Sequence, residues 1–349
     1  MSTVDVKTIT LNEVLFQDDL IIDVRSPAEF AEYHIPNAVN IPLFSNEERA
    51  KIGTVYKQKS QAEAIELGVS LYGPKLPILY QKVKSLKQKK GESRIVIYCW
   101  RGGMRSKTVA GTLGLVGIDC FQLVGGIRSF RKLTQDRLDA ESKRERKYIV
   151  IAGHTGTRKT EILERLQGEG FPVLDLEGLA AHRGSIFGHI GLTPNSQKQF
   201  EYNLTKRLEE LKDADTLIIE AESKRIGHII IPEFILAGKE NGIRIELDYP
   251  FWSRVEHIYK TYKPEKNEEA INEAITKMNK FLSYELKQEL DKLIEEKEYR
   301  IVFARLLEYY YDPRYSHSSH TYQSDAIHLS FESIDEAVEK LKMMILRYL

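Results

Sequence analysis

Twice in this chain a short, unbroken apolar run passes straight into a loop of glycines and cations and then into a helix. The first run is Ile95–Cys99, followed by Trp100-Arg101-Gly102-Gly103-Met104-Arg105-Ser106 and the helical stretch SKTVAGTLGLVG. The second is Tyr148–Ala152, followed by Gly153-His154-Thr155-Gly156-Thr157-Arg158-Lys159-Thr160 and a helix from Lys159 onward. A buried strand that ends in such a turn and feeds a helix is the repeating unit of parallel α/β sheets. Between the two lies Arg131–Lys147, RKLTQDRLDAESKRERK, dense in charge and poor in apolar residues. Single cores stop growing at roughly 250–300 residues, and the chain has 349. The pattern predicts two domains, residues 1–135 and 148–349, joined by a charged helix or linker over 136–147.

The rest of the chain agrees with an α/β reading. Leu20–Val24, Ala38–Ile41 and Cys120–Val124 join Ile95–Cys99 as buried strands of the first domain. Ser26-Pro27-Ala28-Glu29 reads as a helix start, with Ser26 as cap, Pro27 in the first turn and Glu29 closing a capping box. In the second domain Pro172–Leu176, Leu217–Glu220 and Ile243–Leu247 are the further strands, and the last ~80 residues carry apolar side chains at three- and four-residue spacing, a mainly helical pattern. The expected fold is an N-terminal parallel-sheet domain followed by an α/β domain with a helical C-terminal extension.

Composition narrows the setting. Basic and acidic side chains balance at 51 each, so a nucleic-acid partner would have to be recognised by a local cluster of Lys and Arg. Two cysteines are too few for a disulfide framework and fit a reducing compartment. Met1–Thr10 has no apolar signal core and no run is long enough to span a bilayer. The expected location is the cytoplasm, with no membrane partner.

The first loop has the makings of an anion cradle around a sulfur. Backbone N–H groups of the glycine loop and of the helix start converge on Cys99, and Arg101 and Arg105 add positive charge. Each effect favours thiolate, so Cys99 is the candidate nucleophile. The same cradle would hold a persulfide, a perselenide or a phosphate oxyanion. Cys120, on an apolar strand, is expected to be core.

The second loop fits a phosphate-binding pattern, Gly153 and four residues before the last three positions, with Gly156 inside it. Its N–H groups would wrap phosphates, Lys159 would reach terminal oxygens and Thr160 can hold Mg²⁺; no other metal ligand is fixed by the sequence. Arg158 stands where the pattern has its last glycine. Its Cβ would push the backbone away from phosphates, while its guanidinium would bind one. Leu217-Ile218-Ile219-Glu220 followed by Ala221-Glu222 looks like the acidic second strand of such domains, with Glu220 or Glu222 facing a metal.

Larger motifs carry a resemblance. Asp23-Val24-Arg25-Ser26-Pro27-Ala28-Glu29-Phe30, His34 to Pro42 and Gly125-Gly126-Ile127-Arg128-Ser129-Phe130 resemble the two signatures of rhodanese domains, with Cys99 between them. The loop counts seven residues from Cys99 to Arg105, one more than in sulfurtransferase rhodaneses and equal to that of dual-specificity phosphatases, so the cradle is wide. A rhodanese domain followed by a phosphate-loop domain resembles the tRNA 2-selenouridine synthases. Similar to that family are Cys99 to Ser106, Asp175-Leu176-Glu177-Gly178-Leu179-Ala180-Ala181-His182-Arg183-Gly184-Ser185, Glu220 to Ser223 with Ile226-Gly227, and Tyr309-Tyr310-Tyr311-Asp312-Pro313. The resemblance implies a two-step change at the wobble 2-thiouridine of lysine, glutamate and glutamine tRNAs. The sulfur is geranylated from geranyl diphosphate, and selenium from selenophosphate then displaces the geranylthio group. It implies no permanently bound cofactor; the chemistry of the two loops would put the prenyl donor at the phosphate loop and make Cys99 the selenium carrier.

Weaker candidates are His182 and Arg183, as contacts to phosphate or RNA, and Tyr309–Tyr315 with His317 and His320, as a surface for unpaired bases. For the tyrosines, packing near a helix end is the favoured reading. Competing functions are a sulfurtransferase, a Cys-dependent phosphatase and a nucleotide-responsive binding module without catalysis. No acid lies between Trp100 and Ser106, which counts against the phosphatase.

Overall fold

A computed structural model of the chain describes residues 6–14, 18–319 and 326–348, with backbone alone for 316–319. They form two compact units divided between Asp139 and Ala140.

The first unit is built on a five-stranded parallel sheet. Its strands are β1 (Thr8–Ile9), β2 (Leu20–Asp23), β3 (Val39–Asn40), β4 (Ile95–Tyr98) and β5 (Phe121–Leu123), in the spatial order β1-β5-β4-β2-β3. β2 and β4 are buried along their whole length, which is why both read as continuous apolar runs. Leu79 and Val83 of the helix Leu76–Lys90, and Val109 and Leu113 of the helix Met104–Leu115, complete one core with the sheet. The helix Pro27–Glu32 starts as its sequence demands: Ser26 accepts from the Glu29 N–H, and the Glu29 carboxylate accepts from the Ser26 N–H. Asp23 and Arg25 form a wholly buried ion pair. Arg25 Nη2 also donates to the Tyr33 carbonyl, and Asn40 Nδ2 donates to the carbonyls of Asp23 and Arg25. A buried charge must be paired and hydrogen-bonded, so the N-terminal signature is a self-contained polar lock.

The second unit carries a parallel sheet whose middle strand is β6 (Lys147–Gly153). Around it lie β7 (Val173–Leu174), β8 (Thr216–Glu220), β11 (Ile243–Asp248) and β12 (Ile327–Ser330), ordered β12-β11-β6-β8-β7; β9 (Arg225–Ile226) and β10 (Ile229–Ile230) make a separate antiparallel hairpin. The helix Lys159–Gly168 buries Ile162, Leu163 and Leu166 on the sheet together with Val338, Leu341 and Ile345 of the helix Ile334–Ile345. A second core, from Phe187 to Leu307, is made chiefly by the helices Phe251–Tyr262, Pro264–Met278, Tyr284–Glu295 and Tyr299–Leu306.

Of the two forms expected for 136–147, the structure shows helix as far as Ser142, because Ile127–Ser142 is one helix that keeps Ile127, Phe130 and Thr134 buried; only Lys143 to Arg146 separate it from β6. The helical C-terminal region contains a strand, β12, paired parallel to β11. β1 and the β9–β10 hairpin were not foreseen, since two-residue strands are too short to show a period.

Candidate functional site

Cys99 follows directly on β4 and is buried. Its sulfur lies 3.2 Å from Ser106 Oγ. Gln122, on β5, donates from Nε2 to Ser106 Oγ at 2.9 Å and to the carbonyls of Gly102 and Gly103 at 2.7 and 3.1 Å. Ser106 thus accepts from Gln122 and keeps its own hydrogen for the sulfur or for the Gly103 carbonyl at 3.3 Å. The loop is closed from the other side by backbone. Gly102 and Gly126 both have positive φ, and a Cβ on Gly126 would stand 2.3 Å from the Cys99 carbonyl oxygen and 2.7 Å from the Gly102 nitrogen. Only glycine fits such an approach, which gives the Gly125-Gly126 signature its cause. The helix after the loop has no side-chain cap, so its first N–H groups remain available to an anion.

The two arginines part company. Arg101 is exposed. Arg105 is turned to Glu29, donating Nη1 to Oε2 at 2.8 Å. Burial raises the Glu29 carboxyl, yet the Arg105 hydrogen bond and charge outweigh it and hold the group below the usual carboxylate range. Arg105 therefore shares its charge with an acid instead of giving it wholly to the sulfur. Cys120 is core: its thiol donates to the Ala110 carbonyl, and burial, then Asp119, push it up to about 11.

In the second unit a cavity of about 450 Å³ opens on the phosphate loop; Gly153, Gly156, Arg158, Lys159 and Thr160 all line it, with Glu177, Arg183, Glu222 and Lys239. Gly156, at φ +86°, is pressed against Arg254 and Ile258 of the helix Phe251–Tyr262. Arg158 takes the left-handed backbone (φ +63°, ψ +28°) that the missing glycine would adopt freely. The backbone therefore keeps the turn, at a cost of about 1 kcal/mol, while the guanidinium donates to both carboxylate oxygens of Glu161 at 2.9 Å. The Lys159 ammonium donates to the Gly153 carbonyl at 2.7 Å.

Thr160 Oγ1 donates to Glu177 Oε2 at 3.0 Å, and the Glu177 N–H donates to Glu220 Oε1 at 2.6 Å. Burial, then the charge of Glu222, raise Glu177 to about 8. Glu220 is raised well above the usual range by burial and by Glu177, Asp175 and Glu222. Like charges out of water cannot all ionise, so at neutral pH this group holds protons. Glu222 reaches the cavity and Glu220 sits behind it. Among the described residues no set of three His, Cys, Asp or Glu is placed to hold a metal ion. Thr160, Glu177 and Glu222 are nonetheless oxygen donors of the kind Mg²⁺ accepts when phosphate oxygens complete its shell.

His182 is buried, and Cβ atoms on Gly188 and Gly227 would meet its ring at 2.6 and 2.8 Å. It wedges the β9–β10 turn and does not line the cavity, whereas Arg183 does. His257, on the cavity wall, is held neutral: burial, then Arg158, push it down to about 4. Tyr310 and Tyr311 pack on the helical core, Tyr315 contacts Arg244 and Glu246, and Tyr309 is exposed. His320 and the side chain of His317 lie outside the described residues.

Each unit of the chain matches a known family. Residues 10–133 match the rhodanese-like domain family, and residues 146–344 match the family described as the tRNA 2-selenouridine synthase AAA domain. A tRNA 2-selenouridine synthase of Nitrosomonas europaea is 35% identical over 75% of this chain and 68% of its own length. One from a Sulfurovum species is 31% identical over 90% of this chain and 91% of its own, and one from Bdellovibrio bacteriovorus is 34% identical over 75% and 69%. The chain belongs to the tRNA 2-selenouridine synthase family.

In this synthase-family chain, sequence reasoning missed Ser106 as the partner of the sulfur, Gln122 as the residue that holds Ser106, and Arg254 as the brace of the phosphate loop. Arg254 is buried, donates Nε to the Thr155 carbonyl at 2.8 Å and pairs with Asp312 at 2.6 and 3.0 Å. Asp312 also lies 3.2 Å from His154 Nδ1. The Tyr-Tyr-Tyr-Asp-Pro motif was visible; its Tyr311 lines the cavity and its Asp braces the loop. Arg254 carried no signal, being one arginine in an amphipathic helix.

Proposed function

We propose that this protein converts wobble 2-thiouridine of tRNA to 2-selenouridine in two steps, using one loop for each. The 2-thio sulfur attacks C1 of geranyl diphosphate, and diphosphate leaves into the loop of Gly153–Thr160. Alkylation turns the sulfur into a better leaving group. The Cys99 thiolate attacks the phosphorus of selenophosphate, its S–P bond replacing the Se–P bond. The hydrogen selenide so released in the Cys99 loop adds to C2 and expels geranylthiolate, and water then cleaves the S–P bond to return the thiolate and free phosphate. Lys159, with Arg158, Arg183 and Lys239 around it, neutralises the charge that grows on the departing diphosphate. Thr160 and Glu222 would hold a Mg²⁺ that screens the same charge. Ser106, itself held by Gln122, orients the Cys99 sulfur.

The observation that carries this reading is the cation-lined cavity on the phosphate loop, in a chain whose other domain presents a buried sulfur at the mouth of a glycine loop. A plain sulfurtransferase or phosphatase has no use for the first, and a binding module has none for the second. The test is to incubate the purified protein separately with thiosulfate, with a phosphate ester, and with selenophosphate, geranyl diphosphate and thiolated tRNA. Nucleoside mass spectrometry should find S-geranyl-2-thiouridine and then 2-selenouridine in the third reaction alone. Turnover of the phosphate ester, or thiosulfate sulfur transfer without selenation, would replace this function with one of its rivals.

A further inference from the structure

We propose that Lys280, Phe281, Tyr310 and Arg314, on the outer face of the C-terminal helices, form a docking surface for unpaired nucleotides of the substrate tRNA. The proposal rests on the reading of tRNA as substrate and adds where the RNA is held. Phe281 is 50% exposed; Tyr284, three residues on, and Tyr309, next to Tyr310 in sequence, are 68% and 54% exposed. Single exposed aromatics are ordinary on a protein surface; here they are interleaved with cations. The Arg314 guanidinium lies 3.8 Å from the centre of the Tyr310 ring and 5.6 Å from that of Phe281, and the Lys280 ammonium lies 4.9 Å from Phe281. The Phe281 and Tyr310 rings are themselves 6.3 Å apart.

The charges on this face are not neutralised by carboxylates among the described residues. Arg314 donates Nη1 to the Tyr310 carbonyl at 3.3 Å, and among the described residues neither Arg314 nor Lys280 has a carboxylate partner. The acids nearby are engaged elsewhere. Glu289 and Glu308 both pair with Arg305, Asp312 pairs with Arg254, and Glu285 is hydrogen-bonded at the start of its own helix. Two cations without a carboxylate partner beside a pair of rings tilted by 50° match the two surfaces of single-stranded RNA, its phosphates and its base faces. A neutral apolar partner would leave both charges uncompensated. The same turn of helix reaches the cavity: Tyr311, 5.0 Å from Tyr310 ring to ring, lines it. RNA bound on this face therefore lies one side chain away from the phosphate-loop cavity.

The test uses the full chain and a 2-thiouridine-containing tRNA, with affinity measured across a salt series. The residues are exposed, so Lys280→Glu/Arg314→Glu and Phe281→Ala should keep the wild-type melting curve. The double reversal should weaken binding by about 100-fold or more and lower the slope of log affinity against log salt by about 2. Phe281→Ala should cost about tenfold with no change of slope. Geranyl diphosphate affinity in the absence of tRNA should be unaltered in all variants. Unchanged tRNA affinity and slope in the double reversal would overturn the proposal. So would loss of binding to anionic lipid vesicles in that variant while tRNA binding stays intact. A wild-type protein that binds no tRNA would instead remove the reading on which the surface rests.

Discussion

The two loops are built on the same plan, strand to glycine loop to helix, and are held in opposite ways. The Cys99 loop is clamped by its own neighbourhood. Gly126 packs backbone on backbone against it, Gln122 of the adjacent strand β5 pins two of its carbonyls, and Ser106 at its end touches the sulfur. The phosphate loop is braced from a distance: Arg254, 99 positions beyond Thr155 in sequence, holds the Thr155 carbonyl, and Asp312 holds Arg254. Under the proposed function the first loop carries the reactive atom and needs its geometry fixed at every step. The second would wrap and release a diphosphate, and gains from a brace that side-chain motion can loosen. The difference shows in their acids as well. Glu29 beside the cysteine loop stays ionised against Arg105, whereas Glu177 beside the phosphate loop is held protonated by burial and by Glu222.

The largest effect is expected where the clamp is tightest. Gly126→Ala puts a Cβ 2.3 Å from the Cys99 carbonyl oxygen, and should cost at least about 3 kcal/mol by denaturant unfolding. It should also open Cys99 and Cys120 to thiol reagents while diphosphate binding survives. Equal damage to both functions would erase the distinction between the loops.

Arg254→Met should cost somewhat less, about 3 kcal/mol, because it strands Asp312 and frees the Thr155 carbonyl. Its signature is a diphosphate affinity at least about tenfold weaker by calorimetry, with thiol accessibility unchanged.

The acid cluster gives a pH test. As pH rises from about 4.5 toward 8, the unfolded chain ionises Glu177 while the folded protein keeps it protonated. The native state then binds more protons, so stability falls with rising pH across that window. Glu177→Gln, which mimics the protonated acid, should flatten the curve and gain about 2 kcal/mol over wild type near pH 8. A variant whose curve runs parallel to wild type would show that Glu177 is ionised in the fold.

The smallest effect is Arg158→Gly. It removes the left-handed strain and the Glu161 pair together, for a net gain of about 1 kcal/mol or less. Thermal melts with and without diphosphate check it: a guanidinium that binds phosphate shows as a smaller ligand-induced shift in the glycine variant.

The same contrast explains what was legible in the sequence. Local devices were readable: the Ser26–Glu29 capping box, the buried strands that carry each loop, and the core placement of Cys120. Their cause lies within a few residues of the motif. The Gly125-Gly126 signature was readable as a pattern, and its reason, the approach to the Cys99 carbonyl, appears only once β4 and β5 are paired. The pairing of Arg105 was out of reach of the sequence because its partner Glu29 lies 76 positions away. Arg254 and Gln122 were invisible for the same reason, being ordinary residues made significant by tertiary contacts. His182 drew attention as a histidine in a glycine loop, and its burial between Gly188 and Gly227 makes it a wedge.

The division of labour between the loops is tested most directly by two variants in a split assay. Lys159→Ala and Cys99→Ser are each given thiolated tRNA with geranyl diphosphate, and separately S-geranylated tRNA with selenophosphate, and the nucleosides are resolved by mass spectrometry. The account predicts that Lys159→Ala loses geranylation and keeps selenation of the geranylated tRNA. Cys99→Ser should geranylate normally and form no 2-selenouridine, with Cys120→Ser close to wild type in both. Loss of both steps in either variant, or equal loss from Cys99→Ser and Cys120→Ser, would contradict it.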